Sequence, residues 1–420
     1  MTAVSSSFNL RELIYALSDA LGLVGVDDIH HGKRVGYMAF LVAKEIDVPA
    51  MDPEFMFDLG VLHDIGVSST KVFKHLVGEF EWENRDQHCE IGYHRLHRFQ
   101  PLKKFADAVR YHHTRWSDLD QRLKDTPSGL QANLIYLVDR VDALAASHYQ
   151  NQNLLSAVDG IRQTIEERSG DYFNPILVSA FLRASRHEAF WLGLDDRSLR
   201  FFEQERLAER ESCDIAVEEL KGLAEVFSEI VDAKSVFTAE HSKGVASVAA
   251  FLGDKLGLSA DRIQKLEVAG LLHDIGKLRI PDEILDKPGP LTPFERSIMN
   301  MHSYETFQIL RQIKGLEDIT QWAAYHHEEP SASGYPFGLE ASELPIEAKI
   351  LRIADILQAV LQDRPYRSGM TESETRSLLE SLESKGKLDK LVLSKAIQWL
   401  EKIIPIARGN SPKPNQVKMM

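Results

Sequence analysis

A chain of 420 residues, 44 % hydrophobic and 27 % charged, has the balance of a folded protein long enough for two domains, which excludes a disordered or fibrous chain. Its net charge of −14 argues against a basic surface that coats long nucleic acids, although a small phosphate ligand needs only a few local cations. No apolar run approaches the roughly 20 residues that span a bilayer, and Cys89 and Cys213 are too few for a disulfide framework or a thiolate cluster.

The amino terminus, MTAVSSSFNLREL, has no basic segment followed by an apolar stretch, so a cytoplasmic protein is expected. Residues 53–63, PEFMFDLGVLH, place apolar side chains at helical spacing behind Pro53, with Asp52 as N-cap. The turn SGDYFNP (169–175) precedes a last helix of the first domain, and the charged segment 195–220 reads as a connecting helix. Further on, Thr292-Pro293-Phe294-Glu295 is a capping box. Ile350, Ile353, Ala354, Leu357 and Leu361 keep the helical period across 346–361. The tail RGNSPKPNQVKMM has no apolar pattern. The expectation is an all-α protein: a first domain over 8–193, a helical linker over 194–220, a second domain over 221–405, and a disordered tail over 406–420.

An internal repeat organises the chain. HHGKRV (30–35) returns as EHSKGV (240–245), GVLHDIGV (60–67) as GLLHDIGK (270–277), YHH (111–113) as YHH (325–327), and LVDRVDAL (137–144) as RIADILQAV (352–360). His31 and His63 are 32 residues apart, as are His241 and His273; His88 and His112 are 24 apart, as are His302 and His326. One fold duplicated, with drifting loops, accounts for this.

The repeated positions are rich in metal-ligand chemistry. The second domain offers His241, His273, Asp274, His302, His326, His327 and Asp355; the first offers His31, His63, Asp64, His88, His112, His113 and Asp139. Imidazole and carboxylate suit first-row transition metals such as Fe and Mn. Adjacent helical residues point about 100° apart, so vicinal ligands serve a pair of ions better than one. Two cations with a bridging hydroxide form a nucleophile that attacks phosphoryl groups at neutral pH.

The pattern H…HD…H…HH…D resembles the HD metal-dependent phosphohydrolases. The second domain resembles their HD-GYP branch through LLHDIGKLRIPDEILDKPGPLTPFE (271–295), HHEEPSASGYP (326–336) and RIADILQAVLQDRPYR (352–367). That resemblance implies hydrolysis of a cyclic dinucleotide, cyclic di-GMP or 3′3′-cGAMP, to a linear 5′-phosphorylated product. A degenerate HD domain before a full one is similar to the Vibrio 3′3′-cGAMP phosphodiesterases. The seven residues of each set are then metal ligands, with Asp274 also catalytic. Lys277 contacts the scissile phosphate, Arg364 and Arg367 hold the other phosphate, and Tyr335 packs near the substrate. The implied cofactors are two divalent transition-metal ions in the second domain and further metal in the first. The implied partner is the cyclic dinucleotide, with neither long nucleic acid nor membrane, and a homodimer is compatible with the family.

The sequence departs from the family pattern at several points. Ser331-Ala332 stand where Asp-Gly is common, Gln358 replaces an Asp, and Phe237 occupies the place of a Glu that brings a third metal in some members. In the first domain Val67 replaces the lysine, no GYP follows His113, and His148 and Asn151 stand where the second domain has Arg364 and Arg367. The first domain is therefore expected either to act on a monoester, removing the 5′ phosphate, or to regulate. Two rival readings of the whole stay open: a cyclic-dinucleotide receptor, and an HD nucleotide phosphohydrolase.

Overall fold

The structure, a computed structural model, describes residues 7–25, 30–73, 86–151, 153–209, 214–235, 240–362 and 368–409. Cys213, Phe237, Arg364, Arg367 and the tail from 410 lie outside the described residues. The all-α expectation holds. Among the described residues the one sheet is a two-residue pairing of Phe8–Asn9 with Asp214–Ile215. The predicted helix starts are present: the Asp52 carboxylate accepts from the Phe55 amide at 3.2 Å, and Thr292 and Glu295 form the reciprocal capping box.

The chain divides into two units, Leu10–Cys213 and Asp214–Met420 with the first nine residues. This differs from the expected boundaries at two places. Phe8 belongs with the second unit, because its ring is buried and lies against Gly315 while its backbone pairs with Ile215. The expected linker is not one helix. Asp196–Glu209 packs on the first unit, where Phe202 meets Tyr37, Phe40 and Phe57 and Glu203 pairs with the buried Lys33 at 2.6 Å. A separate helix, Val217–Lys234, opens the second unit. Helix Leu400–Ala407 also runs into the segment expected as tail.

Each unit is centred on a helix that begins at the first histidine of its repeated set, His31 or His241. In the amino-terminal unit His31–Ala43 packs on Pro53–Leu62 and on the long helix Pro127–Gln150. Leu134, Ile135, Leu137, Val138 and Val141 of that long helix are fully buried, each side chain contributing about 1.5–3 kcal/mol of apolar burial. In the carboxy-terminal unit His241–Lys255 packs on Ala260–Leu272 and Ile346–Leu361. Gly66 and Gly276 follow the two His-Asp pairs, and a Cβ on either would collide with the carbonyl of His88 or His302. Glycine lets the His-Asp turn close against the helix that carries the third histidine.

Candidate metal centres

In the carboxy-terminal unit, His273 ends helix Ala260–Leu272 and Asp274 opens a 3-10 turn. His302 comes from helix Pro293–Leu310, His326 and His327 follow helix Glu317–Ala324, and Asp355 comes from Ile346–Leu361. Asp274 is central. Its Oδ2 lies 3.6 Å from His241 Nε2 and 3.2 Å from His273 Nε2. Its Oδ1 lies 3.5 Å from His302 Nε2 and 3.9 Å from His326 Nε2. One carboxylate thus offers an oxygen to each of two ligand groups, His241–His273–Asp355 and His302–His326–His327.

The tautomers are set from behind. His273, His302 and His326 donate Nδ1–H to the carbonyls of Gly270, Met299 and Ala323 at 2.7, 2.7 and 2.6 Å. His241 Nδ1 meets the Gln358 side-chain oxygen. Each Nε2 lone pair is left facing inward, as metal ligation requires. His273 Nε2 and Asp274 Oδ1 are buried and make no hydrogen bond. Such orphaned atoms are costly unless an ion takes them, so the residues fit a metal centre. Burial pushes the imidazole of His302 down to about 4, and lowers those of His326 and His327, so all three are neutral donors.

The amino-terminal unit repeats this arrangement. Asp64 Oδ2 lies 3.7 Å from His31 Nε2 and 3.4 Å from His63 Nε2, and Oδ1 lies 3.4 Å from His88 Nε2 and 3.7 Å from His112 Nε2. Asp139 Oδ1 is 3.4 Å from His31 Nε2 and Oδ2 is 3.7 Å from His113 Nδ1. His63 and His112 donate to the Gly60 and Val109 carbonyls. His31 Nε2, His63 Nε2 and Asp64 Oδ1 are buried without a hydrogen bond. All fourteen sequence-derived ligand candidates are therefore gathered into two cages.

The surroundings differ. Lys277 Nζ reaches Asp274 Oδ2 at 2.5 Å; Val67, its counterpart, is buried and helps line a cavity with Leu21, Gly22, Gly32, Val61 and Phe73 beside His31, His63 and Asp64. Tyr335 lies over His327 at 4.8 Å between ring centroids. Its loop is organised by the buried Glu328, whose carboxylate accepts from the amides of Phe337, Gly338 and Leu339 at 2.6, 3.2 and 3.0 Å. Glu329 ties the same segment to Arg352 at 2.6 Å and Lys387 at 3.1 Å. His148 and Asn151 make local bonds instead, to Asn153 and to the Ser147 carbonyl.

Several residues escaped the sequence reading. Glu328 and Glu329 stand directly after the paired histidines, and their acidity was the available signal. Arg140 donates to Asp139 Oδ2 at 2.9 Å, and both are only 3 % exposed in their side chains, against 19 % for Asp355. Asp139 is thus more enclosed than Asp355. Asp142, the counterpart of Gln358, accepts from His31 Nδ1 at 2.8 Å and from Arg34. Burial alone would lower His31, but the neighbouring carboxylates of Asp139 and Asp142 raise it to about 10. Cys89 Sγ lies 3.6 Å from His88 Nε2. Burial pushes its thiol up, yet His112 and His88 outweigh this and bring it down to about 6.

Two family models described as the HD domain match the chain, over residues 28–144 and 225–392. The chain is 34 % identical over 417 residues to a 3′3′-cGAMP-specific phosphodiesterase 1 of Vibrio cholerae, covering 96 % of this chain and 95 % of that protein. It is 35 % identical over 182 residues to a cyclic di-GMP phosphodiesterase of Thermotoga maritima, covering 43 % of this chain and 49 % of that one. The crystal structure of a cyclic GMP-AMP specific phosphodiesterase of V. cholerae superposes with a TM-score of 0.64 over 94 % of this chain and 98 % of that chain, at 21 % identity, a likeness of fold.

Proposed function

The chain belongs to the HD-domain phosphodiesterases of cyclic dinucleotides, and from that premise we propose that its carboxy-terminal unit opens the ring of 3′3′-cGAMP. The chain is a metal-dependent phosphodiesterase, and no described helix is long and apolar enough to cross a membrane. The preference for 3′3′-cGAMP over cyclic di-GMP is supported by the relative that matches nearly end to end.

The observation that carries the assignment is Asp274, with one oxygen toward each of two histidine groups and Lys277 on Oδ2. His241, His273 and Asp355 would hold one ion and His302, His326 and His327 a second, with Asp274 shared. Fe or Mn suits this donor set. Bound ions supply a hydroxide nucleophile and offset phosphoryl charge. Lys277 faces the same oxygen and is placed to bind a non-bridging phosphate oxygen, where a fixed cation acts on charge that develops during reaction. Tyr335 closes the His327 side. Water adds across one P–O3′ bond, leaving a 3′ hydroxyl and a 5′ phosphate.

The amino-terminal unit has the same cage but the apolar Val67 where Lys277 would stand. His148 and Asn151 also stand where the second domain has the two arginines expected to hold a second phosphate, which favours a phosphomonoester over a cyclic diester, and we assign this unit removal of the terminal 5′ phosphate from the linear product. Given that linear dinucleotide, the intact protein should release inorganic phosphate, and the His63→Ala/Asp64→Ala variant should not. No release by an intact protein carrying metal in that unit would leave it a regulatory role. A panel of cyclic dinucleotides, with products identified by mass, tests the substrate preference.

A further inference from the structure

We propose that Asp232 is a positioning residue for the carboxy-terminal metal centre, acting through Ser242 on His241. The inference rests on His241 being a ligand of that centre. Helix His241–Lys255 begins at the ligand itself, and the first amides of a helix have no partner within it. A polar residue at the N-cap usually satisfies one of them. Here the N-cap, Glu240, is held in the left-handed region with φ 66 and contributes no side-chain cap. The cap comes instead from the preceding helix. Asp232, in the last turn of Val217–Lys234, accepts from the Ser242 amide at 3.2 Å and from its hydroxyl at 2.9 Å. Both residues are buried. A carboxylate there also faces the positive end of the helix dipole.

The same turn is fixed on its other side. Lys234 pairs with Asp282 at 3.0 Å, and the Ser235 hydroxyl donates to Asp286 at 2.7 Å. One turn of chain therefore ties the start of the His241 helix to the segment that follows Lys277. Behind the ring, Gln358 takes Nδ1 of His241. Gln358 sets the rotation of the imidazole, and Asp232 sets the position of the backbone that carries it.

The amino-terminal unit is an internal control. The spacing that aligns His31 with His241 and His63 with His273 puts Gly22, Gly32 and Val67 where Asp232, Ser242 and Lys277 stand. Carboxylate, hydroxyl and ammonium are absent together, and the three replacements line one cavity beside that cage. Capping of a helix alone gives no reason for loss of the cap to accompany loss of the lysine. A shared task at the phosphate-facing side of the centre does.

The test uses the full-length protein and manganese as probe. Occupancy of each cage is read by anomalous diffraction across a manganese series, beside the manganese dependence of ring opening. Asp232→Ala should weaken manganese in the carboxy-terminal cage by about tenfold, the low end of the range for outer-shell partners. It should leave the amino-terminal cage and the substrate KM at saturating metal unchanged. Asp232→Asn keeps an oxygen for the Ser242 amide and should recover most of the loss. Ser242→Ala, which removes one of the two bonds, should lose a few-fold, and serves if Asp232→Ala fails to fold. Wild-type manganese dependence in both Asp232→Ala and Ser242→Ala, or equal loss in both cages, would overturn the proposal. So would an Asn variant as weak as the Ala variant. Absence of metal from the carboxy-terminal cage of the unaltered protein would instead defeat the ligand assignment beneath it.

Discussion

Asp64 and Asp274 each divide their two oxygens between two pairs of imidazoles at 3.2–3.9 Å, yet only Asp274 also takes a lysine. Around Asp64 the lysine is Val67, the last carboxylate of the set, Asp139, is held by Arg140, and the outer partner of His31 is a carboxylate, Asp142. Around Asp274 the corresponding carboxylate is more exposed, the outer partner is an amide, and a loop pinned by Glu328 brings Tyr335 over His327. A ligand cage is thus separable from the apparatus that handles phosphate. The cage fixes what chemistry bound ions can do, and its surroundings fix which phosphate reaches them.

That comparison can be broken most sharply at Lys277. Lys277→Ala should lower kcat for ring opening by about 10²–10³, the usual cost of one fixed donor to developing charge, with metal content unchanged. A variant that purifies without metal, or keeps full rate, would contradict the role. Next in size are the outer partners. Gln358→Ala should weaken metal in the carboxy-terminal cage by roughly 10–100-fold, and Asp142→Asn should act only on the other cage; site-resolved anomalous scattering reads both. The same experiment should find about two ions in the carboxy-terminal cage, the expectation for a dinuclear centre, and three well-occupied ions would refute it. The smallest effect is expected at Glu328. Glu328→Ala frees the loop that carries Tyr335, and KM should rise by about tenfold, equivalent to ~1.4 kcal/mol, with metal binding retained. An unchanged KM would mean that the loop does not hold substrate.

Much of this was legible in the sequence because the chain contains its own alignment. Two matched intervals, the repeated His-Asp and His-His pairs, and the repeated segment around Asp139 and Asp355 point to every residue of the two cages. Helix starts were legible wherever a cap had a local signature, as at Asp52 and Thr292. The unit boundaries were not, because Phe8 is claimed by a strand pairing more than 200 residues away and Asp196–Glu209 by contacts of Phe202 that its charged pattern hides. Arg140 and Glu328 were missed for a related reason. Each is an ordinary charged residue in sequence, and its role appears only when its partner, a neighbouring carboxylate or three loop amides, is seen in space. The Asp232 cap escaped because it spans two helices and leaves no capping motif on either.

The division of labour is tested most directly by parallel product time courses from 3′3′-cGAMP with the intact protein, His273→Ala/Asp274→Ala and His63→Ala/Asp64→Ala. The carboxy-terminal double variant should leave the cyclic substrate untouched. The amino-terminal double variant should open the ring at near the normal rate and accumulate the linear dinucleotide with its 5′ phosphate. Equal loss of ring opening in both variants, or its loss in the amino-terminal variant alone, would contradict the assignment of ring opening to the carboxy-terminal cage.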